Sequence, residues 1–318
     1  MPRTGFGADW FSRKIGLTYN GLMPHPLIFD RRLLRARRAR AAALDPATFL
    51  LDRAAEDLAA RLSAVLRQFD LAVDLGTPGD AVRRRLSGRV GAIVAADTVA
   101  SPIAGERLFV VADEEALPFR DASIDLVVSA LALQFVNDLP GTLIQIRRAL
   151  KPDGLLLAAM IGCESLSELR AAFAAAEAEV EGGVSPRVVP FADLRDLGAL
   201  LQRAGFALPV TDVDRVTVRY RSPLALMHDL RRMGATNALV ERRRAPLRRA
   251  TLRRLLEIYA ERYSDGDGRI RATFDIVWLS GWAPHESQQQ PLAPGSAKTR
   301  LADALRTQEL SAGEKAGR

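Results

Sequence analysis

The chain has few residues of the kinds that build covalent or metal-based sites. Its 318 residues include one cysteine, Cys163, and three histidines, His25, His228 and His285, which lie far apart in the sequence. A disulfide framework within the chain and a cysteine-based metal site are therefore excluded, and a histidine-rich metal site has little support. A single cysteine is typical of proteins in a reducing compartment.

Long apolar runs and hydrolase signatures are missing as well. No apolar run approaches the roughly 20 residues that a membrane-spanning helix needs, so we predict no membrane span. The chain has no G-x-S-x-G elbow and no histidine pair at metal-binding spacing, which leaves hydrolase chemistry without support. Residues 264–270 resemble a calcium loop, but Phe274 stands where that loop needs its closing acid. We therefore predict a turn there and no metal site.

Lysine is also scarce, because only four of the 45 basic residues are lysine and the rest are arginine. The net charge is +7 and the isoelectric point is about 10.1. A basic protein can attract nucleic acid, but the arginine-rich stretches 31–40 and 242–254 contain no aromatic residues on which bases would stack. We therefore predict no nucleic-acid partner.

Residues 71–80, with the sequence LAVDLGTPGD, carry the main signal for the fold. A short apolar run is followed by Asp74 and a turn through Gly76, which is typical of the ligand site in doubly wound α/β folds. Such a turn lets backbone N–H groups approach a ligand closely. Here Pro78 has no N–H to offer, and Asp80 repels an anion. The stretch therefore supports the fold and puts the cofactor in question.

Strand and helix patterns alternate along the chain. Apolar runs typical of strands occupy residues 71–75, 90–95, 108–112, 124–129, 155–161, 206–220 and 273–282. This order predicts a doubly wound α/β fold with a mostly parallel seven-stranded sheet and helices on both faces. A late helical insertion at 224–263 separates the last two strands, which predicts an antiparallel edge strand. We also expect a break near Asp214 in the sixth strand, and Ser165 as the cap of the helix after the fifth.

Acids at the ends of the second and third strands are candidates for a ligand site. Asp97 lies about twenty residues past Gly76, where nucleotide-binding folds place a ribose-binding carboxylate. A turn at the strand end explains Asp97 equally well. Asp113 and Glu114 follow the third strand, and acids at this end of a parallel strand face the ligand crevice.

The segment after the fourth strand supplies the candidates for catalysis. It is mostly apolar, and Gln134, Asn137 and Asp138 are its polar exceptions at the edge of the crevice. We predict these three as catalytic candidates. A helix cap explains Asn137 or Asp138 equally well, because both residue types are favoured before the first turn of a helix.

Together these stretches resemble the class I S-adenosylmethionine-dependent methyltransferases. The residues that carry this resemblance are DLG at 74–76, Asp97, DEEALPF at 113–119, SALALQFVNDLP at 129–140 and KPDG at 151–154. More narrowly, the chain resembles the mitochondrial complex I assembly-factor methyltransferase-like proteins and their bacterial relatives. The motifs that carry this second resemblance are IFDR at 28–31, FVNDLP at 135–140, ELR at 168–170, EGGVSPRVVPF at 181–191, DLGALLQRAGF at 196–206, DLRRMGATNAL at 229–239 and GWAPHES at 281–287. The biotin-pathway carboxyl methyltransferases share the general pattern, but less of its later half.

The resemblance implies that S-adenosylmethionine binds at the carboxyl ends of the first strands. The methionine part is expected over the loop, the ribose at Asp97 and the adenine near Asp113 and Glu114. The residues implied in cofactor binding are Asp74, Gly76, Gly79, Asp97, Asp113 and Glu114. The family loop reads D-x-G-x-G-x-G, whereas this chain has Pro78 and Asp80 at the last two glycine positions. Gly79 offers an alternative tight turn.

Three functions stay open at this point. The first is a methyltransferase-fold enzyme that acts on a protein partner, such as a complex I subunit, during complex I assembly. The assembly-factor relatives are credited with arginine hydroxylation, although no non-haem iron triad is readable in this sequence. The second is an ordinary methyltransferase with an unknown substrate, and the third is a non-catalytic assembly or scaffold protein.

The predicted organisation has three parts. Residues 1–44 form a basic extension, residues 45–286 the methyltransferase-like domain, and residues 287–318 a polar tail. The predicted location is the cytoplasm. The mitochondrial matrix is the alternative, because the start of the chain is rich in arginine and poor in acids, as transit peptides are.

Overall fold

The seven apolar runs form the strands of a single sheet. A computed structural model describes residues 27–99, 108–289 and 299–308. Its strands are β1 (Leu71–Leu75), β2 (Ala92–Asp97), β3 (Phe109–Val111), β4 (Ile124–Ala130), β5 (Leu150–Gly162), β6 (Ala207–Tyr220) and β7 (Ile270–Trp282). Their order in the sheet is β3-β2-β1-β4-β5-β7-β6, and β7 runs antiparallel to both of its neighbours. The predicted seven-stranded, mostly parallel fold is confirmed. The antiparallel strand, however, is β7, which lies one place inside the edge formed by β6.

Helices cover both faces of this sheet. They are α1 (Arg31–Ala43), α2 (Phe49–Ser63), α3 (Ala81–Leu86), α4 (Leu139–Ala149), α5 (Ser167–Glu181), α6 (Leu194–Arg203), α7 (Pro223–Arg232), α8 (Arg249–Tyr263) and α9 (Leu301–Leu305). Apolar residues of α4 and α6 pack on one face, and those of α2 and α3 pack on the other. The predicted late insertion is α7 and α8, which pack with α5 around Tyr259. This arrangement leaves the carboxyl ends of β1 to β4 to be covered by α1 and by loops.

Two local predictions were wrong. Ser165 does not cap α5, because its hydroxyl donates to the Gly162 carbonyl at 2.7 Å. Leu166, with a φ of +56°, occupies the cap position instead. The expected break in β6 near Asp214 is absent. The strand stays paired with β7 from Val210 to Tyr220 without interruption, and Arg215 also donates to the buried carboxylate of Asp275 at 2.7 and 2.9 Å.

Helix α1 packs against loops at one end of the sheet through a small apolar cluster. Phe29 and Leu34 are buried beside Phe135 and Leu239, and the rings of Phe29 and Phe135 meet edge-on with centroids 5.8 Å apart. The Asp30 N–H donates to the Ala238 carbonyl at 2.8 Å, which ties the start of α1 to the loop after α7. Helix α1 is therefore placed across the end of the sheet where the predicted site lies.

The chain divides into two compact units. The first ends at Pro284 and contains the sheet, and the second runs from His285 onward and contains α9. The predicted boundaries at residues 44 and 286 stay predictions, and residues 1–26 of the predicted basic extension lie outside the described residues. In the described part of the chain, no helix is long and apolar enough to cross a membrane.

Candidate functional site

The loop after β1 makes a tight, glycine-dependent turn. Gly76 and Gly79 both have positive φ angles, +68° and +75°, which L-residues with a side chain adopt only at a cost. The Gly76 N–H donates to the Ala96 carbonyl at 2.7 Å, and the Thr77 hydroxyl accepts the Ala130 N–H at 2.9 Å. These bonds fix the loop to β2 and β4. A Cβ on Gly76 would lie 2.6 Å from Glu114 Oε1, whereas Gly79 faces open space.

Asp74 lies beneath this loop rather than on its surface. Its side chain has no exposed surface, and Arg83 donates to its Oδ2 at 2.6 Å. Burial raises the pKa of Asp74 to about 6, although the guanidinium of Arg83 and the hydroxyl of Thr77 oppose the shift. The carboxylate therefore joins β1 to α3 and supports the turn from below.

The acids at the ends of β2 and β3 meet two arginines of α1. Arg31 donates to Asp113 Oδ1 at 2.8 Å and pairs closely with Glu114 Oε2. Arg38 Nη1 lies 3.5 Å from Glu114 Oε1 and 3.9 Å from Asp97 Oδ1. Because the two arginines are seven positions apart, they lie on the same face of α1. The structure thus brings the three predicted acids together and adds two cations to them.

The surroundings of Asp97 and Asp113 shift the pKa values of these two acids in opposite directions. Burial raises the pKa of Asp97, against the attraction of Arg38. Burial acts in the same direction on Asp113, but the Glu115 N–H and the Arg31 guanidinium outweigh it and hold the pKa of Asp113 below its usual value. Asp97 is therefore the less firmly paired acid. Among the described residues its hydrogen bonds, from Val99 and Thr98, use Oδ1, which leaves Oδ2 for a ligand hydroxyl.

The three polar residues after β4 have three different surroundings. Asn137 accepts the N–H groups of Ile28 and Phe29 at 2.8 and 2.7 Å, so its side chain holds the chain just before α1. Asp138 caps α4 by accepting the Gly141 N–H at 2.8 Å. Gln134 donates to the Leu131 carbonyl at 2.8 Å, and its Oε1 is buried without a hydrogen-bond partner in the described structure. The catalytic assignment of these residues stays a prediction.

A cavity of about 700 Å³ opens beside the loop. This volume is in the range typical of sites for small molecules and cofactors. Its polar wall includes Arg38, Pro78, Gly79, Asp80, Asp97 and Gln134, and its apolar wall includes Leu131, Phe135, Ile161, Leu169, Phe173 and Met233. Buried polar atoms without partners are rare in native proteins. Within the described structure three of them, Arg38 Nη2, Glu114 Oε1 and Gln134 Oε1, lie in or next to this wall.

Sequence reasoning missed the arginines of α1. The arginine-rich composition of residues 31–40 gave no indication that this stretch contacts the acids at the strand ends. The available signal was the spacing of Arg31, Leu34, Arg38 and Ala41, which share one face; Leu34, Arg38 and Ala41 are buried. In the described part of the chain, no group of three potential metal ligands is close enough to hold an ion.

The strand order and the loop after β1 define a protein with a class I methyltransferase fold. A methyltransferase domain family matches residues 73–158. Among solved structures, a putative methyltransferase (BH2331) from Bacillus halodurans C-125 superposes with a TM-score of 0.51 at 19% identity, covering 72% of this chain and all of that one. The YcgJ protein from Bacillus subtilis gives a TM-score of 0.50 at 16% identity over 72% of this chain and 99% of that one. At these identities the likeness shows the fold alone.

Curated relatives define the family more narrowly. The mitochondrial arginine-hydroxylase NDUFAF5 of Danio rerio is 38% identical over 286 residues, covering 87% of this chain and 89% of that protein. The Homo sapiens protein of the same name is 40% identical over 280 residues, covering 85% and 81%. The chain belongs to the NDUFAF5 family. A malonyl-[acyl-carrier protein] O-methyltransferase of Gallionella capsiferriformans is 39% identical, but only over 56% of this chain and 59% of that protein.

Proposed function

We propose that this protein binds S-adenosylmethionine and acts on an arginine side chain of a protein partner during the assembly of respiratory complex I. The name of the NDUFAF5 relatives supports the arginine, and the resemblance to complex I assembly factors supports the partner. The observation that carries the proposal is the cavity beside Gly79 and Asp97, with unpartnered polar atoms of Arg38 and Gln134 in its wall.

The cofactor fits the donor set of this cavity. Asp97 Oδ2 would accept a ribose hydroxyl, and the open space at Gly79 lets the loop backbone approach the methionine part. Asp113 lies at the expected adenine end, where it is paired with Arg31. When bound, S-adenosylmethionine supplies an electrophilic methyl group on a sulfonium. The protein's own contribution is alignment and exclusion of water, which together account for much of the rate in such transfers.

The remaining wall of the cavity suits an arginine side chain. Its apolar residues, among them Leu131, Ile161 and Phe173, would pack against the methylene stem. The unpartnered Oε1 of Gln134 would accept an N–H of the guanidinium, and the bond from Gln134 Nε2 to the Leu131 carbonyl fixes its orientation. Leu131 has a φ of +54°, a strained conformation of a kind that clusters at functional sites.

Calorimetry of S-adenosylmethionine binding to the purified chain tests the cofactor. Micromolar binding is expected, and Asp97→Ala should weaken it about tenfold or more, because a hydrogen bond to a charged group contributes roughly 1.5–3 kcal/mol. Absence of heat at millimolar cofactor would overturn the cofactor proposal and favour a scaffold role.

A deletion strain tests the partner. Loss of complex I with normal levels of the other respiratory enzymes is expected, and the partner's arginine should change mass when wild-type protein is restored. Unchanged complex I would contradict the assembly role. Full rescue by Asp97→Ala, once that variant is shown not to bind cofactor, would contradict the enzymatic role and leave the scaffold. The relatives' names also support the mitochondrial matrix as the location, which imaging of a tagged chain would check.

A further inference from the structure

Arg38 is a buried cation without a short hydrogen bond. Its side chain is 8% exposed. Its Nη1 reaches the Gly76 carbonyl and Glu114 Oε1 at 3.5 Å each and Asp97 at 3.9 Å, and its Nη2 has no partner in the described structure. Arg31, on the same face of the same helix, has a 2.8 Å bond to Asp113. The guanidinium of Arg38 thus has acids around it but no well-formed pairing.

A buried guanidinium such as that of Arg38 destabilises the folded protein unless its N–H groups are hydrogen-bonded. Burying a charge without close partners is strongly unfavourable, and a buried polar group left unpaired in a native protein calls for a specific explanation. Arg38 also lines the cavity. A ligand with an anionic group would supply what the protein around Arg38 does not.

The position of Arg38 is fixed by its surroundings. A Cβ on Gly234 would lie 3.2 Å from Arg38 Cα, so the loop after α7 packs directly on the backbone of α1. Arg37 bonds the carbonyl of Asn237 in the same loop, and the Phe135 ring centre lies 5.9 Å from the guanidinium carbon of Arg38. The guanidinium is therefore held beside the loop after β1 and does not extend into solvent.

The loop after β1 has fewer groups that attract an anion than a glycine-rich turn normally has. Backbone N–H groups of a glycine-rich turn attract anions, but Pro78 has no N–H. Asp80 adds a negative charge, which Arg84 offsets at 3.2 Å. Because Arg38 contacts the Gly76 carbonyl and lines the same cavity as Pro78 and Asp80, it stands where the missing donor is needed.

We propose that Arg38 binds the carboxylate of the amino-acid part of S-adenosylmethionine and replaces the donor that the loop lost at Pro78. This proposal rests on the proposed function, since it names a contact within the same site. The neighbouring Asp97 and Glu114 balance Arg38 when the ligand is absent and suit a cofactor whose sulfonium and ammonium groups are positive. The helix, rather than the loop, then selects a ligand with a carboxylate.

Decarboxylated S-adenosylmethionine is the direct probe of this contact, because it lacks the carboxylate and keeps the adenosine and the sulfonium. Both compounds are titrated by calorimetry into the full chain as wild type, Arg38→Met and Arg32→Met. The wild type should bind the parent cofactor about 10- to 100-fold more tightly, as expected for one charged hydrogen-bonded pair. Arg38→Met should bind both compounds equally. Arg32→Met, an exposed position on the same helix, should retain the wild-type preference.

The outcomes separate this inference from the proposed function. Absence of binding of both compounds to the wild type would overturn both. Binding without a preference in the wild type, or a preference that survives in Arg38→Met, would overturn the role of Arg38 alone. If the methionine variant does not fold, Arg38→Gln removes the charge and keeps a hydrogen-bonding amide, and its preference should fall well below the wild-type ratio. An unchanged preference in Arg38→Gln would also overturn the inference.

Discussion

Replacing Gly76 by alanine should destabilise the protein far more than the same change at Gly79. Both residues have φ angles near +70°, so alanine at either position costs roughly 1–2 kcal/mol of backbone strain. At Gly79 the added methyl meets no atom within 4 Å. The cost there should be the strain alone.

At Gly76 the methyl group meets a buried charge. It would lie 2.6 Å from Glu114 Oε1 and 3.1 Å from the Ala132 Cβ. Glu114 is fully buried and paired with Arg31, so it can move only by loosening that ion pair. Breaking a buried pair outright costs about 3–5 kcal/mol. A partial loss added to the strain gives a destabilisation of about 3–5 kcal/mol, against about 1–2 kcal/mol for the control.

Urea denaturation followed by circular dichroism measures both values. The expected result is a difference of at least about 2 kcal/mol between the variants, with similar m-values because the exposed surface is similar. Equal losses in Gly76→Ala and Gly79→Ala would refute the close packing of Glu114 on the loop. A larger loss in Gly79→Ala would refute the placement of the two turns.

Two further predictions follow from neighbouring contacts. Asn137→Ala leaves the N–H groups of Ile28 and Phe29 without their acceptor. It should lower the free energy of unfolding in urea by about 1–3 kcal/mol and speed tryptic cleavage within α1. An unchanged cleavage rate would contradict the anchoring role. Because burial raises the pKa of Asp74 to about 6 in the folded protein, its folded form binds a proton more tightly than its unfolded form. Relative to Asp74→Asn, the wild type should therefore gain up to about 3 kcal/mol as the pH falls from 7 to 4 and lose it as the pH rises through 6; parallel pH profiles would contradict this.

The sheet was predictable because its signals are local and periodic. Each strand is an apolar run ended by turn residues, and the strand–helix order restricts the topology. The place of β7 was not predictable in this way, because strand order depends on which apolar faces meet after the insertion. The continuity of β6 comes with its pairing to β7, which joins residues about 60 positions apart such as Arg215 and Asp275, and no local pattern indicates such a pairing.

The candidate site was predictable only on the side formed by the sheet. Asp97, Asp113 and Glu114 follow strands, so their meeting at one edge follows from parallel topology. The arginines of α1 precede the sheet in the sequence, and their partners lie 59 to 83 residues later. The sequence pattern of a basic amphipathic helix does not indicate which acidic residues the helix contacts. The departure of the loop at Pro78 and Asp80 puts the cofactor in question, and no sequence pattern shows that Arg38 lies beside that loop.

Three distant motifs converge where α1 crosses the sheet. Phe29 of the IFDR motif forms a bridge with Leu239 at the end of the DLRRMGATNAL motif, and Asn137 of the FVNDLP motif accepts the Phe29 N–H. Segments more than 200 residues apart thus hold α1, and α1 holds Arg38 beside the loop. In the proposal for Arg38, α1 supplies next to the loop the positive group that the loop lacks at Pro78. Because α1 is held at this junction, we expect substitutions at Phe29, Asn137 or Leu239 to weaken ligand binding by displacing the guanidinium of Arg38.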